Sequence, residues 1–123
     1  MCIRDSEYTV REASGIQLGR THMSELLKRN PDLQAVYFSN DAVAAGAMMH
    51  CMAEGIAVPD ELALASFSGL DIADALPVPI TTVRSPRYEI GKLAVQRILT
   101  RLNGGSAPRI TNAGYELIVG ASA

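Results

Sequence analysis

Two spacings of apolar residues alternate along the chain and predict an alternation of strands and helices. Residues 35–38, 62–67, 80–83 and 114–119 are short apolar or β-branched runs, which are typical of strands. The longer segments before and between them carry apolar residues three or four positions apart, as amphipathic helices do. Strands that alternate with helices favour an α/β domain built on a mostly parallel sheet.

The first and last predicted helices have clear boundaries. The first begins near Ser14 and ends before Pro31, since proline disfavours helical backbone angles in the residue that precedes it. The last follows Ser85, its expected N-cap, with Pro86 in the first helical position, where a missing N–H costs nothing. A broad apolar stripe runs along residues 90–102 of this helix, so it needs a partner surface.

The helix predicted over residues 41–54 lacks a polar face. One side must cover the sheet, and an apolar second side needs a second partner. That partner is either another subunit or the interior of a larger domain, in which methionine fills irregular gaps. For the subunit interpretation, the candidate interface residues are Ala45, Met48, Met49 and Met52.

Polar side chains follow the first two strands at the point where each strand ends. Ser39, Asn40 and Asp41 follow the first strand, and Ser68 and Asp71 follow the second. The carboxyl ends of parallel strands share one edge, and ligands bind beyond that edge in open α/β sheets. These groups should therefore face one cleft. The alternative is that Asn40 or Asp41 is only a helix N-cap, a position that Asn, Asp and Ser prefer.

Composition narrows the possible functions. The chain has 123 residues, of which 48% are hydrophobic and 20% charged, and this suits one globular domain. A net charge of −2 gives no basic footprint for nucleic acid. Its two cysteines have neither metal-ligand spacing nor a disulfide framework, which favours a cytoplasmic location. We expect no metal, no cofactor and no membrane contact. The absence of a G-x-S-x-G or phosphate-loop motif argues against an enzyme.

Three motifs, taken in order, carry a resemblance to a known family. The middle helix opens with the pattern N-D-x-x-A-x-G, formed by Asn40, Asp41, Ala44 and Gly46. GIAVPDELALASF follows at residues 55–67, and PITTVRSP at residues 79–86. Over about residues 12–123 the chain resembles the effector-binding domain of the lactose-repressor/galactose-repressor (LacI/GalR) family of bacterial transcription regulators.

The resemblance implies a domain organisation. Its fold is a truncated, three-layer parallel-sheet lobe like the carboxyl-terminal half of a type I periplasmic-binding-protein-like domain. Residues 7–85 and 105–123 would form that lobe, and residues 86–104 would be a helix belonging to a missing amino-terminal lobe. Residues 1–6 match neither strand nor helix spacing, and we interpret them as a non-native leader.

A departure from the family pattern narrows the range of possible effectors. Most members carry Gly-Phe/Tyr-Asp-Asp/Asn after the second strand, whereas this chain has Ser-Phe-Ser-Gly at residues 66–69. In this it resembles the gluconate-utilisation repressors, whose effector is a sugar acid. In the family the aspartate at position 41 accepts hydrogen bonds from effector hydroxyls. Arg84 and Arg87, at the crossing between lobes, would then hold the effector carboxylate, the alternative being solvated surface arginines. The candidate effector-binding residues are Ser39, Asn40, Asp41, Ser68, Asp71, Arg84, Ser85 and Arg87.

The implied function is the small-molecule sensing domain of a DNA-binding repressor. The effector, a sugar or a sugar acid such as gluconate, would change how a homodimer presents its amino-terminal helix-turn-helix heads to an operator. Those heads are absent from this chain. DNA would therefore be a partner only of the full-length repressor, through its amino-terminal heads. Two alternatives remain open, a periplasmic-type sugar-binding protein of a transporter and a flavodoxin-like enzyme or response module.

Overall fold

A computed structural model describes residues 7–123; the predicted leader, residues 1–6, lies outside the described residues. The chain is an α/β domain, as the alternating spacings predict. In chain order its elements are α1 (Ile16–Arg29), β1 (Ala35–Tyr37), α2 (Asp41–Glu54), β2 (Ala63–Ser68), α3 (Asp71–Ala75), β3 (Thr81–Arg84), α4 (Arg87–Leu102) and β4 (Glu116–Ile118). The short α3 begins at Asp71, one of the polar residues that follow the second predicted strand.

The four strands form one sheet in the order β1-β2-β3-β4. β1, β2 and β3 run parallel, and β4 runs antiparallel to β3. The carboxyl ends of the three parallel strands therefore lie at one edge, as the sequence predicts. At that edge Ser68 is in register with Arg84, and Arg84 is in register with Glu116.

The core lies between one face of the sheet and the helices α1, α2 and α3. Its largest fully buried apolar side chains are Met23, Met48, Leu62, Leu64 and Ile80. α1 and α2 pack closely because each presents a glycine to the other. A Cβ atom at Gly19 would collide with the carbonyl of Val43, and one at Gly46 would collide with the carbonyl of Ile16.

The other face of the sheet is exposed. Tyr37 is 64% exposed, and Phe67 and Leu117 are exposed on the same face. The apolar and aromatic residues of the first strand would suit a buried position, but β1 is an edge strand of the described sheet and its outward face has no cover. β-branched and aromatic composition identifies a strand without fixing how many neighbours it has.

The apolar surface of α2 differs from the one we predicted. Ala45 and Met48 have no exposed surface, because α1 and the sheet cover α2 on two sides. These two candidate interface residues belong to the core. Met49 and Met52 are 37% and 49% exposed, so only they keep surface that a second subunit can reach.

α4 stands apart from the core and has no buried residue. Ile98 is 58% exposed and Leu102 is 77% exposed, so the predicted apolar stripe faces solvent. The helix begins at Arg87 with Pro86 in the cap position and no side-chain cap bond, which corrects the expected N-cap at Ser85. Among the helices within residues 7–123, none is long and apolar enough to cross a membrane.

The last residues of the chain pack under the amino ends of two parallel strands. The Ser122 hydroxyl is buried, donates to the carbonyl of Leu64 and accepts from the amide N–H of Thr81 at 2.9 Å. The backbone carbonyl of Ser122 also accepts from the Leu64 amide at 2.7 Å. Residues 120–123 therefore tie β2 to β3 at the edge opposite the cleft.

Candidate functional site

The turn between β1 and α2 supplies the first wall of the candidate site. Asn40 adopts extended backbone angles, and its side-chain oxygen accepts a hydrogen bond from the Val43 amide at 3.0 Å. It is therefore the N-cap of α2, as one of our two interpretations expected. The preceding Ser39 is exposed at the carboxyl edge.

Asp41 does not face the cleft. Its side chain is fully buried, and both carboxylate oxygens accept hydrogen bonds from within the chain. One oxygen accepts from the hydroxyls of Ser66, at 2.5 Å, and Thr82, at 2.7 Å. The other accepts from the backbone amide of Leu70 at 2.5 Å. The expectation that Asp41 faces the cleft is therefore wrong. Its carboxylate points into the fold, where two buried hydroxyls and one amide supply the donors that it needs.

The loop that follows β2 has unusual backbone angles. Ser68 has a φ of 129° and Gly69 a φ of 68°. L-residues with a side chain rarely adopt positive φ, so the conformation at Ser68 must be held by its surroundings. Gly69 is needed for a second reason, because a Cβ there would lie 2.6 Å from the Cβ of Arg84.

The two arginines at the crossing have different environments. Arg84 forms ion pairs with Asp74, at 3.6 Å, and with Glu116, at 3.7 Å. Its charge is therefore shared between two carboxylates of the same chain. Arg87 is exposed, and its Nη1 donates to the carbonyl of Ser68 at 3.5 Å. None of the ion pairs found within residues 7–123 includes Arg87.

A cavity of about 420 Å³ opens where the loop after β2 meets the start of α4. Its lining residues are Gly69, Asp71, Arg84, Ser85, Pro86, Arg87, Tyr88 and Glu89. This cavity is open to solvent and forms one wall of a cleft. Four of the eight candidate residues come together here, and the loops after β2 and β3 both contribute, as the parallel order of those strands predicts. Ser39, Asn40, Asp41 and Ser68 do not line the cavity.

Sequence analysis missed three polar residues that organise this edge and the opposite one. Ser66 and Thr82 lie inside apolar strand segments and bind Asp41, whereas Ser122 ties β2 to β3. A signal was present, since a hydroxyl in an apolar run predicts a buried group that needs a hydrogen-bond partner. The sequence does not say which partner, because the partners lie 25 and 41 residues away from Asp41.

The arrangement can recognise an anion that also carries hydroxyl groups. Arg87 supplies a guanidinium, Ser85 a hydroxyl, and Asp71 a carboxylate that accepts from hydroxyl donors. Within residues 7–123 there is no group of three or more side chains able to hold a metal ion. The side chains that line the cavity offer a ligand hydrogen bonds and charge.

Comparison with known proteins identifies the family to which this fold belongs. The family model described as periplasmic binding protein-like domain matches residues 3–123. The HTH-type transcriptional regulator IdnR of Escherichia coli K12 is 34% identical over 111 residues, which cover 89% of this chain and 33% of the relative. The chain thus spans about a third of the length of this curated relative.

Solved structures show the same fold. The transcription regulator GntR from Chromobacterium violaceum superposes with a TM-score of 0.90 at 34% identity, over 97% of this chain and 45% of that one. The complex of the transcriptional regulator CelR with cellobiose superposes with a TM-score of 0.82 at 26% identity, over 89% of this chain and 34% of that one. These proteins are transcriptional regulators rather than enzymes.

Proposed function

The chain belongs to the periplasmic binding protein-like, effector-binding domains of LacI-family transcriptional regulators, and from this premise we propose that it forms one wall of a sugar-acid site. The observation that carries the proposal is the cavity at the crossing, which joins Asp71, at the start of α3, to Ser85 and Arg87, at the start of α4. A sugar acid such as gluconate matches this set, since it offers one carboxylate and several hydroxyls. CelR, a relative in fold, is a complex with the sugar cellobiose.

The proposed effector contacts divide between direct ligands and a supporting group. Arg87 binds the carboxylate, because none of the ion pairs found within residues 7–123 includes it. Asp71 and Ser85 line the cavity and bind hydroxyls. Ser39 and Asn40 follow β1 at the same edge of the sheet, and we propose that they contact the part of the effector that extends beyond the cavity. Arg84 lines the cavity but is already paired with two acidic side chains, so it contributes mainly by holding the wall together.

The second wall of the cleft comes from an amino-terminal lobe in a longer protein, which we call the parent protein. We propose that residues 7–85 and 105–123 form the carboxyl-terminal lobe and that residues 86–104 pack on the other lobe. The support is physical: α4 carries an apolar stripe and has no buried residue. A solvent-facing stripe of this kind marks a contact surface.

The remaining partners follow from the family. We propose that the parent protein is a cytoplasmic homodimer that binds its operator through amino-terminal helix-turn-helix heads. Met49 and Met52 are the exposed part of α2 and belong to the dimer contact in this proposal. The effector acts by changing the relative position of the two lobes and therefore the spacing of the heads.

Calorimetric titration of the parent protein with D-gluconate and with D-glucose tests the proposal. We expect saturable binding of gluconate and at least tenfold weaker binding of glucose. Arg87→Gln should weaken the affinity for gluconate at least tenfold, because a charge-assisted hydrogen bond is worth roughly 1.5–3 kcal/mol. The affinity for glucose, which has no carboxylate, should change little.

Arg101→Gln is the matched control, since it makes the same change in the last turn of α4, away from the crossing cavity. It should leave both affinities unaltered. Equal binding of the acid and the neutral sugar, or equal effects of the two arginine substitutions, would contradict a carboxylate site at Arg87. If the wild-type parent protein bound neither gluconate nor glucose, the result would contradict the proposal that its effector is a sugar or a sugar acid.

A further inference from the structure

The buried carboxylate of Asp41 connects three separate parts of the carboxyl edge. It is the first residue of α2, and it accepts hydrogen bonds from β2, from β3 and from the loop after β2. We propose that Asp41 is a positioning residue: it fixes the loop of residues 68–71, and effector affinity depends on it through that loop without contact between Asp41 and the effector. This inference rests on the proposed function, since it assumes that the effector binds beside the loop.

The fold already uses the hydrogen-bonding capacity of the carboxylate. Its two oxygens accept from three donors within the described chain. None of the ion pairs found within residues 7–123 involves Asp41. Compensation for its buried charge comes from the two hydroxyls, the Leu70 amide and the positive end of the α2 dipole.

The loop that it holds is strained. Ser68 has a φ of 129°, and Gly69 next to it has a φ of 68°. Backbone of this kind persists only when neighbouring groups over-determine it. The bond from the Leu70 amide to Asp41 comes one residue after this pair and closes the loop against α2. Without that acceptor, residues 68–70 lose the anchor that opposes their relaxation.

The held loop is the one that the cavity uses. Gly69 and Asp71 line the cavity, and the carbonyl of Ser68 accepts from the guanidinium of Arg87. Relaxation at Ser68 would therefore move the groups that orient Arg87 and Asp71. Asp41 itself is fully buried and does not line the cavity, so its route to the effector runs through the loop.

Two substitutions at one position separate positioning from direct contact. Asp41→Ala removes every acceptor and should weaken gluconate binding by the parent protein at least tenfold. Asp41→Asn keeps one acceptor, which can receive the Leu70 amide while its NH₂ donates to the hydroxyl oxygens of Ser66 and Thr82. We therefore expect Asp41→Asn to rescue affinity to within threefold of wild type. A directly bound ionised acceptor predicts a loss with both substitutions.

Thr82→Val is the matched control for the same buried network. It removes one hydroxyl bond to Asp41 and leaves the Leu70 anchor in place. It should lower the midpoint of urea unfolding and leave gluconate affinity within twofold of wild type. All titrations are made below the unfolding transition of each variant, which the urea measurements define.

A ligand-free measurement keeps the inference separate from the effector proposal. Hydrogen exchange of the Leu70 amide, followed by NMR, should be slow in wild type and in Asp41→Asn and at least tenfold faster in Asp41→Ala. Equal exchange in all three proteins overturns the positioning role, and so does equal loss of gluconate affinity in both Asp41 variants. An Asp41→Ala protein that is less stable but binds normally overturns it as well. If the wild type binds neither sugar, the proposed function fails and the amide exchange alone decides whether Asp41 fixes the loop.

Discussion

Asn40 and Asp41 are adjacent in the sequence, and their side chains have separate tasks. Asn40 caps α2 through the Val43 amide, whereas Asp41 turns inward to the sheet. Both residue types suit an N-cap, so sequence alone left the assignment open. What decides it is the position of Ser66 and Thr82, which lie far along the chain and only meet Asp41 in the folded sheet. Local propensity identified the turn, and long-range pairing assigned the side chains within it.

The cap itself can be tested at the residue scale. Asn40→Ala leaves the Val43 amide without its side-chain acceptor, so the free energy of unfolding should fall by about 1 kcal/mol. Asn40→Ser keeps an oxygen in the capping position and should lose only a fraction of that. Urea unfolding followed by circular dichroism measures both values. Equal losses in the two variants would show that the bond to Val43 contributes nothing.

At the scale of elements, the contact between α1 and α2 gives a physical reason for a motif glycine. Gly46 ends the N-D-x-x-A-x-G pattern and lies directly against the carbonyl of Ile16. Gly19 makes the reciprocal approach to Val43. The sequence predicted both helices and the apolar face of α1 from their spacing. It did not predict how near the helices come, because closeness depends on which residues oppose each other across the contact.

Gly46→Ala should destabilise the domain by about 1–3 kcal/mol, because the added methyl group meets backbone that cannot rotate away. Gly91→Ala is the matched control. It lies in the middle of α4 with open space around its Cα, so the same substitution should leave stability equal or slightly higher there. Chemical unfolding of the two variants beside wild type makes the comparison. Similar losses at both positions would refute the close-packing explanation for Gly46.

A second contact between elements fastens the irregular residues before α1 to that helix. The Tyr8 hydroxyl donates to Glu25 at 2.9 Å and also lies 2.9 Å from Nδ1 of His22. The guanidinium of Arg29 lies 5.4 Å from the centre of the Tyr8 ring. The hydrogen bond from Tyr8 lowers the pKa of Glu25, and the same bond raises the pKa of Tyr8. Sequence analysis did not find this contact, because it joins side chains 14 and 17 residues apart.

These shifts predict how the Tyr8 contact depends on pH. A lowered pKa for Glu25 stabilises the folded form above its ordinary value near 4.5, and this contribution is lost as pH falls through the folded pKa. A raised pKa for Tyr8 stabilises the folded form below its ordinary value near 10, and this contribution is lost as pH rises through the folded pKa. The contact should therefore be strongest between those limits.

NMR titration of the Glu25 side chain measures this effect. Tyr8→Phe removes the largest cause of the shift, so the pKa of Glu25 should rise towards its ordinary value. Tyr88→Phe, at a tyrosine that is 81% exposed, is the control and should leave the titration unchanged. An unaltered Glu25 titration in Tyr8→Phe would contradict the assignment.

At the scale of the whole molecule, the pattern of apolar positions predicted the fold class. It did not predict which apolar side chains are exposed to solvent. Three parallel strands, the helix bounds of α2 and the shared carboxyl edge were all foreseeable from spacing. The exposure of Tyr37 was not, because burial depends on what lies across the sheet face and not on the residue itself. The same holds for α4, whose stripe identifies a contact surface without identifying its partner.

Exposed apolar surface on this scale should make the isolated chain associate. We expect sedimentation velocity to show mass increasing with concentration for residues 1–123. Replacing Ile98 and Leu102 together by Gln should shift that association to higher concentration, because both side chains lie on the exposed stripe of α4. Thr100→Gln, on a different face of the helix, should not. If neither change alters the association, the surface through which the chains associate lies elsewhere, on the exposed face of the sheet.

The bonds of Ser122 also set an order on folding during synthesis. Ser122 bonds Leu64 and Thr81, which precede it by 58 and 41 residues. Closing such long loops is entropically costly and slow, and here it cannot begin before Ser122 has left the ribosome. Until then β2 and β3 lack the hydrogen bonds of Ser122 that join their amino ends, and the sheet of the nascent chain is incomplete. A nascent chain that is stalled before residue 122 would therefore expose the amino ends of β2 and β3 to chaperones and proteases.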